Sequence, residues 1–416
     1  MATQSPFARI VSLPLRLSLA QWMLLAAAGG VAAGFLAPDF AKSTRIVSDI
    51  FLRLIRAIIA PVLFGVLIRA IGGAGAMRDL GRIGWKSLVI FEVFTTVALL
   101  LGWGAGLLLE PGVGMALPAG IAPVAQPTSL SAVLEGAIPT SIFDAMARGD
   151  VLQIVVFCFL FGFAALSLGE KAKPVLEFAD SVAEIAFRCT NLIMLLAPAA
   201  VFAAMSSTIA TSGEEAFYGL ARFFAAAWAM EVLFLIVILG AGLLVFGVPI
   251  RRFIYFVREP FLVAFATTSS AAALPQALEN MERFGISKRV VGFVAPMSLS
   301  LNMNGSTIYL ALATLFVAQA AQIPLSFEKQ ILILLTLKLT SKGVAGIPRA
   351  NFVILTALFQ SYGLPLEGLA MLLGIDALID TIRTSVNIAS HCAAPAMVAC
   401  WEGESFAAGV SEEAAA

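Results

Sequence analysis

Charge is scarce in this chain, and histidine is scarcer. Only 12% of the 416 residues are Asp, Glu, Lys or Arg, about half the share of an ordinary soluble domain. The single histidine, His391, has no cysteine or carboxylate around it in metal-ligand spacing. With no nucleophile–base pair or metal cluster to read, an enzyme is disfavoured. The four cysteines, Cys158, Cys189, Cys392 and Cys400, form no CxxC pair and lie scattered in apolar stretches, which leaves neither a disulfide frame nor a zinc site. Net charge is zero, so nothing draws the chain to nucleic acid.

What is abundant is apolar surface, 60% of the residues. Runs of about 20 apolar residues, enough to cross a bilayer core, recur at Leu19–Phe35, Val89–Leu109, Val151–Leu168 and Phe223–Val245. The expected class is an all-α polytopic membrane protein whose surroundings are lipid. Arg69, Arg78, Arg82 and Lys86 cluster after the second span, while Glu110–Ala147 contains no Lys or Arg before Arg148; basic loops face the cytoplasm. Met1–Ser18 superficially resembles a signal peptide, but Pro38 and the basic residues beyond offer no cleavage site, so an uncleaved first helix with a cytoplasmic start is expected.

The halves differ. Up to about Ser212 the chain reads as apolar helices with one proline-rich connection, Pro111 to Pro139. Beyond it, polar clusters interrupt the hydrophobic stretches: Thr267–Ser270 followed by Pro275, and Thr340–Gly343 followed by Gly346 and Pro348. Each leads to a long apolar helix with its own polar break, Asn302–Ser306 in one case and Asp376–His391 in the other. One plan repeated twice, with interrupted segments at corresponding positions, points to a transporter site at the membrane midplane.

Asp376, Asp380, Arg383, Thr384, Asn387 and His391 fall within an arc of roughly 100° on a helix. A charge at the bilayer centre costs at least about 2.5 kcal/mol, and such residues are functional by default. Asp380 and Arg383 are also close enough to neutralise each other in a purely structural pair. As a ligand site, Arg383 suits a carboxylate and Asp380 an ammonium. Ser269, Ser270, Thr384 and Asn387 supply neutral donors for a second carboxylate, helped by half-helix N-termini. An acidic amino acid fits.

These residues resemble the dicarboxylate/amino acid:cation symporters, which include the glutamate transporters. The resemblance covers nearly the whole chain and is most specific at SSAAALP (Ser269–Pro275), NMNGS (Asn302–Ser306), SKGVAGIP (Ser341–Pro348) and GIDALIDTIRTSVN (Gly374–Asn387), with weaker support at Ile90–Thr96 and Ala137–Phe157. It implies a homotrimer of protomers, each with eight transmembrane helices, two re-entrant hairpins and inverted repeats, in a bacterial inner membrane with both termini cytoplasmic. The hairpins are expected at about 259–279 and 327–361. A scaffold of about 15–75 and 130–212 stays fixed while about 84–110 and 216–402 moves as an elevator, and 403–416 is a disordered tail. Carried over by position, Arg383 and Thr384 meet the side-chain carboxylate, Asp380 the amine, and Asn387 with Ser269–Ser270 the α-carboxylate, while Val344–Gly346 forms the extracellular gate. Relatives that carry plain dicarboxylates lack an Asp at the amine position, and neutral-amino-acid carriers lack the arginine. The expected substrate is L-aspartate or L-glutamate, with a C4-dicarboxylate carrier as the rival.

Departures concern the coupling ion. The aspartate of the family's NMDG motif is Asn304 here, and the acid near the end of the stripe is His391. Hard cations favour anionic oxygen, so the sodium sites to which Asn302, Asn304, Ser300, Asp376 and His391 correspond are degenerate. Glu92 stands where bacterial proton-coupled relatives carry a glutamate. Glu92 and His391 are thus the candidate proton carriers, and the expected coupling is to a proton gradient rather than to sodium, with no organic cofactor. Ser300 and the carbonyls near Gly343 keep sodium coupling as the alternative.

Overall fold

A computed structural model describes residues 19–72, 81–115, 138–342, 350–404 and 406. Among these residues the regular structure is all helical. In chain order the helices are α1 (Leu19–Leu36), α2 (Pro38–Ser43), α3 (Arg45–Gly72), α4 (Arg82–Leu109), α5 (Ile142–Arg148), α6 (Val151–Leu168), α7 (Lys173–Met194), α8 (Ala197–Leu233) and α9 (Gly240–Val245). Then follow α10 (Ile250–Thr267), α11 (Ser270–Phe284), α12 (Lys288–Leu301), α13 (Asn304–Ala320), α14 (Phe327–Thr340), α15 (Ala350–Tyr362) and α16 (Leu366–Glu402). The expected gate at Val344–Gly346, most of the proline-rich connection and nearly all of the expected tail lie outside the described residues.

Among the described residues four helical runs are long and apolar enough to cross a membrane, at Arg82–Leu109, Gln153–Met194, Ala197–Val245 and Lys288–Ala320. The second and third have 42 and 49 residues, or about 63 and 74 Å at 1.5 Å per residue, roughly twice a bilayer core. Both contain a joint: a 3-10 turn at Gly169–Ala172, and Gly213 with φ 63° and ψ −147°. Large apolar side chains such as Leu108 and Val245 are more than four-fifths exposed. A surface of that kind is solvated by lipid tails, not water.

Small residues set the tightest helix contacts. Every buried residue of α7, namely Ala179, Ala183, Ala186, Thr190 and Met194, recurs at helical spacing. This stripe meets α3 at Gly65, where a Cβ would come within 2.7 Å of Ala183 N. The apolar core forms two clusters, and α16 contributes to both, Leu369–Ile379 to one and Ile382–Ala399 to the other.

α10 and α11 form a helical hairpin whose tip is Thr268, in the left-handed region at φ 51°, and Ser269. Its arms extend past the expected 259–279 because Glu259 and Glu279 lie on helix faces, not at ends: Glu259 accepts a 3.0 Å bond from Gln276 across the hairpin. α14 and α15 pack together as a second pair. The two polar breaks differ in kind. At Asn302–Met303 the backbone leaves helical geometry and separates α12 from α13, whereas Asp376–His391 lies within one continuous 37-residue helix. The second is the polar helix face that the spacing predicts: residues 376–391 stay helical throughout, so their polarity is carried by side chains alone.

Candidate functional site

α16 gathers the stripe on one side, and Arg383 is its centre. The guanidinium is 2% exposed, with Nη1 2.9 Å from Asp376 Oδ1 and Nη2 2.5 Å from Asp380 Oδ1. Its Cζ lies over the Tyr309 ring, 4.4 Å from the centroid, a contact that suits a delocalised cation. Thr384 Oγ1 donates to Asp380 Oδ1 at 3.2 Å. The short Arg383–Asp380 contact of the structural-pair alternative is present, and Asp376, a degenerate cation-site candidate, supplies a second carboxylate to the same guanidinium.

One turn on, Asn387 ties α16 to the broken helix. Its Oδ1 accepts from Gly305 N (2.9 Å) and Ser306 N (3.4 Å), capping the start of α13. Its Nδ2 donates to Ser306 Oγ (3.2 Å), which also accepts from Asn351 of α15 at 3.5 Å. Gly305 is required here, because a Cβ would fall 2.5 Å from Arg383 O. Ser269 and Ser270 sit half-buried at the tip of the first hairpin, where Ser269 Oγ accepts from Ala272 N at 3.3 Å.

Asn302, Asn304 and His391, expected at degenerate cation sites, are buried together near the start of α13. His391 Nδ1 shares a 3.0 Å bond with Ser298 Oγ, which also accepts from Asn302 Nδ2 at 3.2 Å. Asn302 Oδ1, both amide atoms of Asn304 and His391 Nε2 are buried without a hydrogen-bond partner among the described residues. Ser300 is half-buried two residues before Asn302. This donor set holds no anionic oxygen, and Asp376 is engaged by Arg383, so the set does not fit a sodium ion well.

Glu92, on α4, is 46% exposed and forms ion pairs with two lysines of the α14 arm: Lys338, at 2.9 Å, and Lys342. Lys338 also donates to Glu92 O, Thr95 Oγ1 and Thr96 Oγ1 at 2.6–2.9 Å. Lys342 belongs to the Thr340–Gly343 cluster read from the sequence, whereas Lys338, Tyr309, Asn351 and Glu231 stand in none of the motifs singled out there. The signal for Glu231 was available: it is the only ionisable residue between Phe223 and Val245, and the rule that singles out Asp376 and Arg383 applies to it equally.

Lipid-facing apolar helices around a buried, charged, hydrogen-bonded centre define an integral membrane transport protein. The model of the sodium:dicarboxylate symporter family matches residues 19–401. The chain is 37% identical over 388 residues to the proton/glutamate-aspartate symporter of Bacillus subtilis (strain 168), covering 91% of this chain and 94% of that one. It is 36% identical over 377 residues to the proton/sodium-glutamate symport protein of Geobacillus stearothermophilus, with 88% and 90% covered. It is 38% identical over 397 residues to the C4-dicarboxylate transport protein of Anaeromyxobacter sp. (strain K), with 93% and 90% covered. This chain belongs to the sodium:dicarboxylate symporter family, a family of transport proteins.

Proposed function

We propose that the protein is a secondary active transporter that imports L-aspartate or L-glutamate, driven by protons and independent of sodium. The observation that carries this reading is Arg383 buried between Asp376 and Asp380. An incoming side-chain carboxylate exchanges with Asp380 on the guanidinium, and the freed Asp380 turns to the substrate's ammonium. Thr384, already bonded to Asp380, follows that exchange, and the hairpin serines with Asn387 take the α-carboxylate. The neutral set Asn302, Asn304 and His391 supports the loss of sodium coupling. The proton/glutamate-aspartate symporter of Bacillus subtilis, similar over nearly the whole chain, supports substrate and ion together. The reading includes a homotrimer in the bacterial inner membrane, each protomer with eight transmembrane helices and two re-entrant hairpins. About 84–110 and 216–402 move as an elevator against a scaffold of about 15–75 and 130–212.

The rival is a C4-dicarboxylate symporter, favoured by Asp380 being spent on Arg383 at 2.5 Å, which leaves it unavailable to an amine unless the pair opens. Liposomes holding the purified protein, given a proton or a sodium gradient alone, decide both points. Labelled aspartate should accumulate on the proton gradient and be displaced by excess aspartate but not succinate. Accumulation on sodium alone, or displacement by succinate alone, overturns the reading.

A further inference from the structure

Glu231 lies two residues from the end of α8, 0% exposed, with both carboxylate oxygens lacking a hydrogen-bond partner among the described residues. It is aimed at the substrate centre: a Cβ built on Gly305 would lie 2.9 Å from Glu231 Oε2 and 2.5 Å from Arg383 O, so the carboxyl and the arginine backbone flank the same glycine. Three residues earlier Trp228 Nε1 donates to Leu378 O at 3.3 Å, pinning this turn of α8 to α16. With no donor among the described residues to fix its charge, whether this carboxyl holds a proton follows the charges that face it.

The charges facing it come from few elements. α16 presents Arg383 with Asp376 and Asp380 on its nitrogens, and α13 presents Tyr309 beneath the guanidinium. On α4 the carboxylate of Glu92 is held by Lys338 and Lys342. α1 has no ionisable side chain, and Asp39 and Lys42 of α2, like Arg45, Asp49, Arg53 and Arg56 of α3, are exposed. Arg383 with its two aspartates already carries one net negative charge. An acidic amino acid adds a second, and an ionised Glu231 would make a third in a space with little water.

We propose that Glu231 is the proton-binding site of this carrier, taking up one proton as the acidic substrate enters and releasing it when the substrate leaves. The assignment rests on the proton-coupled reading above. It differs from the sequence-based candidates in geometry: Glu92 is satisfied by two lysines, and His391 is engaged through Ser298, whereas Glu231 faces the charge that must be balanced.

Two measurements test it. In liposomes, wild type should accumulate aspartate on an inward proton gradient, and its exchange of labelled for unlabelled aspartate should change with pH. Glu231→Gln, which mimics the protonated acid, should lose the accumulation and exchange at a rate that no longer follows pH. In parallel, calorimetry of aspartate binding to the detergent-solubilised wild type, in buffers of different ionisation enthalpy, should count about one proton taken up per substrate, and Glu231→Asp should keep that uptake. A wild type indifferent to the proton gradient overturns the coupling reading and this assignment with it. A proton-driven wild type with an equally proton-driven Glu231→Gln overturns the assignment of Glu231 alone. Should the Gln variant not fold, a wild type that takes up no proton on binding also overturns it.

Discussion

Lys338 of the second helical pair reaches Glu92 of α4 twice, with Nζ 2.9 Å from the backbone carbonyl and 2.9 Å from the carboxylate. Thr95 and Thr96 complete the grip, and Lys342 joins the same carboxylate. The arm next to residues 343–349 is thereby clipped to α4. An exposed ion pair contributes little, about 0–1 kcal/mol, but Lys338 is only 16% exposed, and its three further bonds do not depend on the Glu92 charge.

Glu92→Gln should therefore loosen α14 without releasing it. Amide hydrogen exchange across 327–340 should rise in the variant while that of 376–391 stays put, and Lys338→Met should raise it further. If Glu92 were instead the proton carrier, its glutamine variant would lose the pH dependence of transport and leave exchange on α14 unchanged. The two outcomes separate a clip from a relay.

Arg383→Ala should abolish acidic-substrate binding, with affinity lowered at least about a hundredfold, equivalent to roughly 2.7 kcal/mol. It leaves Asp376 and Asp380 buried without their cation, and breaking one partner of a buried pair costs about 3–5 kcal/mol. Thermal unfolding in detergent should therefore fall along with binding. Adding Asp376→Asn and Asp380→Asn to Arg383→Ala should recover the unfolding temperature but not the binding. Retained affinity in Arg383→Ala would remove it from the site.

Gly305→Ala tests how closely α13 and α16 approach. The new methyl would lie 2.5 Å from Arg383 O and 2.9 Å from Glu231 Oε2, and the backbone atom cannot rotate away. Overpacking of this kind costs about 1–3 kcal/mol. The expected result is a lowered unfolding temperature and weakened aspartate binding, with Gly104→Ala, whose Cβ meets nothing within 4 Å, as the control that changes neither.

Much of the stripe was legible because a continuous helix converts spacing directly into a shared face. Asp376, Asp380 and Arg383 had to be neighbours once α16 was helical through that stretch. The backbone break at Asn302 and Met303 is less legible, because Asn302–Ser306 reads from the sequence only as a polar interruption of an apolar helix. Partners distant along the chain were invisible for the same reason. Nothing local to Glu92 points to lysines about 250 residues away, and Tyr309 reads as one more apolar residue on α13. Glu231 was missed differently, since a lone acid in an apolar run disappears into the run's average.

The neutral cluster around His391 gives the last expectation. Asn304 is the first residue of α13 and both its side-chain amide atoms lack a partner among the described residues, so an aspartate there would meet the positive end of a helix, at a gain of about 0.3–1 kcal/mol. His391 bonds the hydroxyl of Ser298, which in turn accepts from Asn302 Nδ2, and an aspartate in place of His391 would meet the same hydroxyl. Asn304→Asp with His391→Asp thus returns two anionic oxygens to a pocket that already holds the unpartnered Asn302 carbonyl, the ligand type a hard cation needs. Aspartate binding measured at fixed pH in sodium chloride or choline chloride should be the same in the two salts for wild type and tighter in sodium for the double variant. Each single variant should respond less than the pair, because either supplies one charge where the site has room for two. A double variant as indifferent to sodium as wild type would mean that these residues are structural and that the coupling ion is set elsewhere. A wild type that already prefers sodium would mean that neutral oxygens suffice.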